Sequence, residues 1–390
     1  MNTNNKKTYS IGIYRPEKDG LKTFLPNTFP GDFEFSGKLY KKQSEASHYL
    51  GKLDGITKLL PDKDFFLLMF IKKDATYSSQ IEGTQATFQD AVAVGASSEY
   101  GAVDGSDVHD IVYYIKAVNY AMKRIVDFPL SLRLIREIHE KLMKGARSTQ
   151  HAYPGEFRNS QNWIGTRLPK DASFIPPNVS DMKNALDELE KFIHAKDDFP
   201  ALIKAGLLHA QFETIHPFTD GNGRTGRMLI TLYLHKAGLL ELPVLYLSSY
   251  FKKYQKLYYS KLASYHDEES DIEGWLNFFL DGVVDTAQSS IETCEKIIAL
   301  REKDHAKIQT LGVKTASKTF EVLQQLYKQP IVGIADIENW TNYTQPGAYK
   351  MIQRLIDLDI LEPLGDVKYG QKYIYTKYYK IFDSEFINKK

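Results

Sequence analysis

The chain has 390 residues, 43% hydrophobic and 25% charged, which is enough for a buried core and for more than one average domain. Fifty Lys and Arg against forty-nine Asp and Glu leave a formal charge of +1, so no global field draws it to nucleic acid or an anionic membrane. Its single cysteine, Cys294, excludes an internal disulfide and a multi-cysteine zinc site, and fits a reducing compartment.

The opening residues, MNTNNKKTYS, are polar and lack the apolar core of a signal peptide. The longest apolar run, 65–71, is far too short to cross a bilayer. A cytoplasmic, mostly ordered protein is expected, with no membrane partner. Residues 1–40 carry Pro16, Pro26 and Pro30 and read as extended and turn-rich. From Tyr40 the texture turns helical: Tyr49, Leu50, Leu53, Ile56, Leu59 and Leu60 fall at the spacings of one buried face. The same period predicts helical stretches over 65–93, breaking at Gly83, over 108–125, opened by Asp107, and over 130–143.

Residues 145–180 differ in kind. Gly145, Pro154, Gly155, Gly165, Pro169, Pro176 and Pro177 surround Trp163-Ile164-Gly165-Thr166, which reads as a long loop containing a short hairpin. A loop of that length inside a domain is usually functional. Helices resume over 180–194, 199–215, 226–237, 252–263 and 272–301. Beyond 303, short helices over 318–327, 334–340 and 345–358 precede 361–375, where Pro363, Gly365, Gly370 and alternating Tyr and Ile suggest a two-stranded wing. The fold class is mainly α with a small C-terminal α+β module.

The most informative stretch is His216-Pro-Phe-Thr-Asp-Gly-Asn-Gly-Arg-Thr-Gly-Arg227. Gly221 and Gly223 permit successive N–H groups to converge into an anion nest. The helical run from Gly226 sets a positive dipole end behind it. Arg224 and Arg227, three apart, can face one polyphosphate. Asp220 can hold Mg²⁺, and His216 has a ring suited to accepting a hydroxyl proton. Gly221-x-Gly223-x-x-Gly226 also has the form of a dinucleotide fingerprint, but that needs a preceding strand, and Leu202, Ala205, Leu208, Phe212 and Ile215 share a helical face. A plain interhelical turn with His216 in the core is the remaining alternative.

This stretch resembles the HxFx(D/E)GNGRxxR motif of Fic-domain proteins, with every specified position present. The resemblance implies a Fic-type helical core with a β-hairpin flap, and transfer of AMP from ATP to a Ser, Thr or Tyr hydroxyl of a target protein or of itself. His216 would be the base and Asp220 the Mg²⁺ ligand. Gly221, Asn222 and Gly223 would cradle the inner phosphates, while Arg224, Thr225, Gly226 and Arg227 complete the ATP-binding stretch. The intact GNGR portion favours AMP transfer over phosphate transfer.

Ser78-x-x-x-Glu82-Gly83 resembles the family's inhibitory segment, (S/T)xxxE(G/N), whose Glu pairs with the second Arg of the main motif. Glu82 would then form a bidentate pair with Arg227 where the γ-phosphate must lie, with Ser78 and Gly83 completing the inhibitory helix. Asn162, Trp163, Ile164 and Gly165 resemble the flap that holds a target segment by main-chain pairing. Tyr254 and Tyr258 lie where the family builds its adenine pocket, although the spacing of Tyr250, Tyr254 and Tyr258 equally describes a core stripe.

The expected division is 1–125, an N-terminal region with the inhibitory helix; 126–302, the catalytic core; and 303–390, a winged-helix-like module. In that module Lys350 and Arg354 are candidate phosphate contacts, and Lys368 and Lys372 would sit on the wing. Twelve Lys and Arg against nine Asp and Glu over 305–390 make DNA binding the lesser expectation and protein contact the greater. A homodimer is a further expectation from the family. Two rival functions stay open: removal of AMP assisted by Glu82, and a nucleotide-sensing transcription regulator.

Overall fold

The computed structural model describes the chain apart from residues 1–8, 18–19, 30–33, 61–62, 94–106, 146–152, 268–269, 367–369 and 384–390, and apart from the side chains of 64 and 65. The turn-rich start is an antiparallel hairpin of β1 (Gly12–Pro16) and β2 (Lys22–Pro26). Next comes α1 (Gly37–Thr57), begun by Ser36, whose hydroxyl accepts from the Leu39 N–H at 3.3 Å. Two further helices, α2 (Lys63–Ile81) and α3 (Phe88–Ala93), are separated by a turn in which Gly83 takes φ +93°. The break expected at Gly83 is there, because the left-handed region suits glycine.

After α4 (Asp107–Arg124) and α5 (Leu132–Met143), the long loop runs to α6 (Val179–His194), interrupted by a single 3₁₀ turn at Pro169–Asp171. Ser131 and Asn178 cap α5 and α6 by accepting from Leu134 and Asp181. Helix α7 (Ala201–Ile215) is apolar nearly all round and sits at the centre of the core, as such a pattern requires. Around it lie α8 (Asn222–Lys236), α9 (Leu247–Lys253), α10 (Gln255–Tyr265) and the 38-residue α11 (Ile272–Gln309). The Glu273 carboxylate at the start of α11 accepts from the Ser36 N–H and hydroxyl at 2.6 and 2.7 Å, tying it to the start of α1.

The C-terminal part contains α12 (Val313–Lys328), β3 (Ile331–Val332), α13 (Ile334–Thr341), α14 (Gln345–Asp357), β4 (Glu362–Leu364), β5 (Lys372–Ile374) and α15 (Thr376–Phe382). Its sheet is antiparallel in the order β3-β5-β4, so the expected strand pair gains a third strand. Helix α11 runs unbroken through residues 302 and 303, the division expected from sequence. No Gly or Pro occurs between Gly282 and Gly312 to stop it. The C-terminal part packs on the N-terminal helices through rings: Phe66 lies 4.7 Å from Tyr327, Phe70 5.2 Å from Phe382, and Phe88 5.6 Å from Tyr379. Among the described residues, no helix is long and apolar enough to cross a membrane.

Candidate active site

Helix α7 ends because His216 adopts a left-handed conformation, φ 48° and ψ 60°, which turns the chain into the loop preceding α8. A non-glycine residue in that region is worth a functional question. Its Nδ1 faces the Glu213 carbonyl at 3.3 Å, an arrangement that makes Nδ1–H the donor and Nε2 the basic nitrogen. Burial pushes the ring's pKa down to about 4, so it is neutral at pH 7. The His216 carbonyl accepts from Arg158 Nε at 3.0 Å, while the Arg158 N–H donates to the Pro217 carbonyl at 2.9 Å. Arg158 was not among the residues singled out by sequence; only its tertiary position makes it a brace of this corner.

The loop is closed by Asn222, whose side chain both accepts from the Phe218 N–H and donates to the Phe218 carbonyl, each at 2.8 Å. Asn222 therefore shapes the loop with its amide. Gly221, at φ +78°, begins α8, and its N–H donates to the Asp220 carboxylate at 2.5 Å. The first N–H groups of α8 have no intrahelical acceptor. Arg224, in the first turn of α8, has Nη1 3.6 Å from Asp110 and Nη2 3.7 Å from Asp220, with its buried Nε and Nη1 donating no hydrogen bond. Buried guanidinium donors without acceptors beside an open helix N-terminus make a site for an anion.

Arg227 is oriented differently. Its Nη2 donates to Glu82 Oε1 at 2.6 Å and to the Ser78 carbonyl at 3.0 Å, and its Nε to the Ser78 hydroxyl at 2.9 Å. The sequence reading anticipated a bidentate Glu82–Arg227 pair; here the guanidinium fork is shared, and Glu82 receives one edge of it. Burial works against the Arg227 charge, but the Glu82 carboxylate, with Tyr258 and Glu213, more than offsets it and holds its pKa above the ordinary value. Glu82 also lies against the nest itself: a Cβ at Gly223 would meet Glu82 Oε1 at 2.2 Å. Thr225 is buried one turn on, and a Cβ at Gly226 would meet Glu213 Oε1 at 2.6 Å. The end of α2 is pinned from the other side. Lys252 donates to the Gln80 carbonyl, and Gln255 donates to the Ile81 carbonyl, each at 3.0 Å.

The flap residues lie beside this centre. Asn162 donates to the Phe218 carbonyl at 3.1 Å, so it fastens the flap to the loop. Ile164 makes one antiparallel bridge with Phe174, shorter than the hairpin expected, because Gly165 at φ +104° and the 3₁₀ turn break the strands. Trp163, about one-third exposed, donates its indole N–H to the Thr166 carbonyl. The two tyrosines expected at the adenine pocket separate. Tyr254 is partly exposed between α9 and α10, whereas Tyr258 is buried, 2.9 Å from His209 Nε2 and stacked on Phe251.

Among the described residues no three or more His, Cys, Asp and Glu gather as a metal cage. A magnesium ion that arrives with a polyphosphate needs only one or two carboxylates, and Asp220 at the mouth of the nest offers one. In the module, Lys350 is exposed on α14, Arg354 donates to the Met351 sulfur at 3.7 Å, Lys372 is exposed on β5, and Lys368 lies outside the described residues.

Residues 129–234 match the model of the Fic/DOC family, and residues 40–123 that of the Fic/DOC family N-terminal region. A protein adenylyltransferase Fic from Aedes aegypti is 30% identical over 191 residues, covering 46% of this chain and 34% of its own length. Its counterpart from Drosophila melanogaster is 27% identical over 205 residues, covering 51% and 36%. The chain thus spans about a third of the length of the curated relatives it matches. A Fic family protein from Desulfovibrio desulfuricans G20 superposes with a TM-score of 0.57 at 17% identity, over 89% of this chain and 98% of that one, a likeness of fold. Residues 129–234, which hold the His216–Arg227 motif, and residues 40–123, which hold Ser78 and Glu82, are thus regions of the Fic/DOC family type.

Proposed function

We propose that the chain is a protein adenylyltransferase that moves AMP from ATP to a hydroxyl side chain of a protein and is held low by Glu82. The observation that carries this reading is Arg224: two buried donors without hydrogen-bond partners in the first turn of α8, in the same motif as a histidine held neutral. The target oxygen would form a bond to the α-phosphorus while the bond from that phosphorus to the bridging oxygen breaks, and pyrophosphate leaves. His216 Nε2 takes the hydroxyl proton. The N–H groups of the nest and Arg224 meet the charge that develops on the phosphate oxygens without reorganising. Asp220 would hold Mg²⁺, which neutralises phosphate charge when bound.

Glu82 acts on this centre in two ways. It occupies Arg227, a phosphate clamp, and it sets a negative carboxylate against Gly223, where the nucleotide must lie. The flap would pair with an extended target segment, and the C-terminal module would serve protein contact. The division at 125, 302 and 390 is kept as a functional one, with α11 shared between the second and third parts.

Intact mass after incubation with ATP and Mg²⁺ tests this. Added AMP is expected on Glu82→Gly, weakly on wild type, and on none of the Glu82→Gly, His216→Ala protein. Loss of AMP from a pre-modified protein by wild type, abolished in Glu82→Gly, would instead favour AMP removal. Tight, salt-sensitive DNA binding without either reaction would favour nucleotide sensing.

A further inference from the structure

The motif supplies the anion nest, and a residue outside it is bonded to the nest's backbone. His139, on α5, is fully buried, and its ring stacks on Phe218 with centroids 3.7 Å apart and planes 3° from parallel. Both ring nitrogens are used by backbone. The Gly155 N–H donates to Nδ1 at 2.9 Å, which makes Nδ1 the acceptor and leaves the proton on Nε2. That Nε2–H donates to the Asp220 carbonyl, also at 2.9 Å.

The Asp220 carbonyl belongs to the first peptide of the nest. In a trans peptide, C=O and N–H point in opposite directions. A carbonyl drawn inward to His139 therefore turns the Gly221 N–H outward, and there it meets an anion, the Asp220 carboxylate. Rotating that peptide would aim a carbonyl oxygen at an incoming phosphate. Gly221 lets the two segments close up, since a Cβ there would lie 2.7 Å from the Met143 sulfur and 3.3 Å from His139 Nε2.

We propose that His139 is a positioning residue: by holding the Asp220 carbonyl, it keeps the 220–221 peptide turned so that its N–H points outward, where a phosphate oxygen would take the place of the Asp220 carboxylate as acceptor. This rests on the nucleotide reading of the nest given above. The ring also joins two ends of the site, since Gly155 lies in the loop that leads to the flap.

The test compares ADP and adenosine binding by calorimetry, with Mg²⁺, in Glu82→Gly and in the same chain carrying His139→Ala or His139→Gln. Losing an oriented donor to a charged group corresponds to roughly ten- to a hundredfold in affinity. His139→Ala should weaken ADP by that factor and leave adenosine unchanged. A glutamine amide can donate to Asp220 and accept from Gly155, so His139→Gln should recover most of the ADP affinity. Equal losses for ADP and adenosine, unchanged ADP binding in His139→Ala, or a glutamine variant that folds without recovery would each overturn the proposal. If His139→Ala does not fold, the glutamine variant decides alone. A Glu82→Gly parent that binds ADP no better than adenosine would overturn the nest reading itself, which separates the two failures.

Discussion

Ser78 and Arg227 are joined twice: Arg227 Nε donates to the serine hydroxyl at 2.9 Å, and Nη2 to the serine carbonyl at 3.0 Å. Glu82 therefore adds its carboxylate to a guanidinium already held by the helix that precedes it. The inhibition proposed for Glu82 would then rest on the last turn of α2 together with Glu82, and not on one ion pair.

Ser78→Ala tests that distribution. The substitution leaves a buried Arg227 donor without its acceptor, a cost of about 1.5–3 kcal/mol. We expect AMP incorporation roughly tenfold above wild type, yet below Glu82→Gly. Intact mass over a time course reads both, and a rate equal to wild type would show the hydroxyl to be idle.

The low pKa of His216 sets an acid limb. The ring is depressed by burial to about 4, so its basic form persists across neutral pH and is lost only as pH falls toward 4. Transfer by Glu82→Gly at limiting substrate should be flat from about pH 6 to 8. A half-maximal point near the ordinary histidine value would contradict the burial argument.

Glu213 should affect stability in the opposite pH range. Burial raises its carboxyl from 4.5 to about 8, partly countered by Arg227. A raised value means that stability is complete below pH 4.5 and is lost as pH rises through about 8. Glu213→Gln removes this loss, so its melting temperature at pH 8.5 should exceed wild type by roughly 5 °C and match it near pH 4.5. Parallel melting curves at both pH values would count against it.

Gly165→Ala should separate flap from nucleotide site. The residue holds φ +104°, and a Cβ would fall 2.3 Å from Ser173 Oγ, so the Ile164–Phe174 bridge cannot persist unchanged. Transfer to a protein acceptor should drop at least tenfold, with ATP affinity kept within about twofold. Calorimetry and a transfer assay on one preparation decide it.

Residues 66, 70 and 88 place aromatic rings under the C-terminal part. Phe66→Ala should cost about 3–5 kcal/mol, read as a fall in denaturant midpoint. A chain ending at residue 302 would cut α11 short and bare these rings, so it should aggregate where the whole chain does not.

Much of the fold follows from local chemistry. The period of 108–125 yields α4 within a residue at each end, and Gly83 marks the end of α2 because a positive φ there favours glycine. The candidate site's outline is legible because one turn holds histidine, carboxylate, glycines and guanidinium groups together. What escaped notice depends on distant partners. His139 looks like any polar residue on an amphipathic helix, and Arg158 like any loop arginine. Lys252 and Gln255 gain meaning only once the end of α2 lies beside them. Tyr258 shows the converse: its spacing suits a pocket wall and a core stripe equally, and the structure shows it buried.

Helix α2 belongs to two neighbourhoods. Its first turns, with Phe66 and Phe70, are packing material for the C-terminal part, and its last turn carries Ser78 and leads into Glu82. Nineteen residues at 1.5 Å each make a stiff strut about 28 Å long. If the chain uses ATP as proposed, any molecule that grips the C-terminal part and tilts this strut would change the affinity for ATP by some factor. Linkage then requires ATP to change the grip by the same factor, so the nucleotide and that molecule report on each other through one helix.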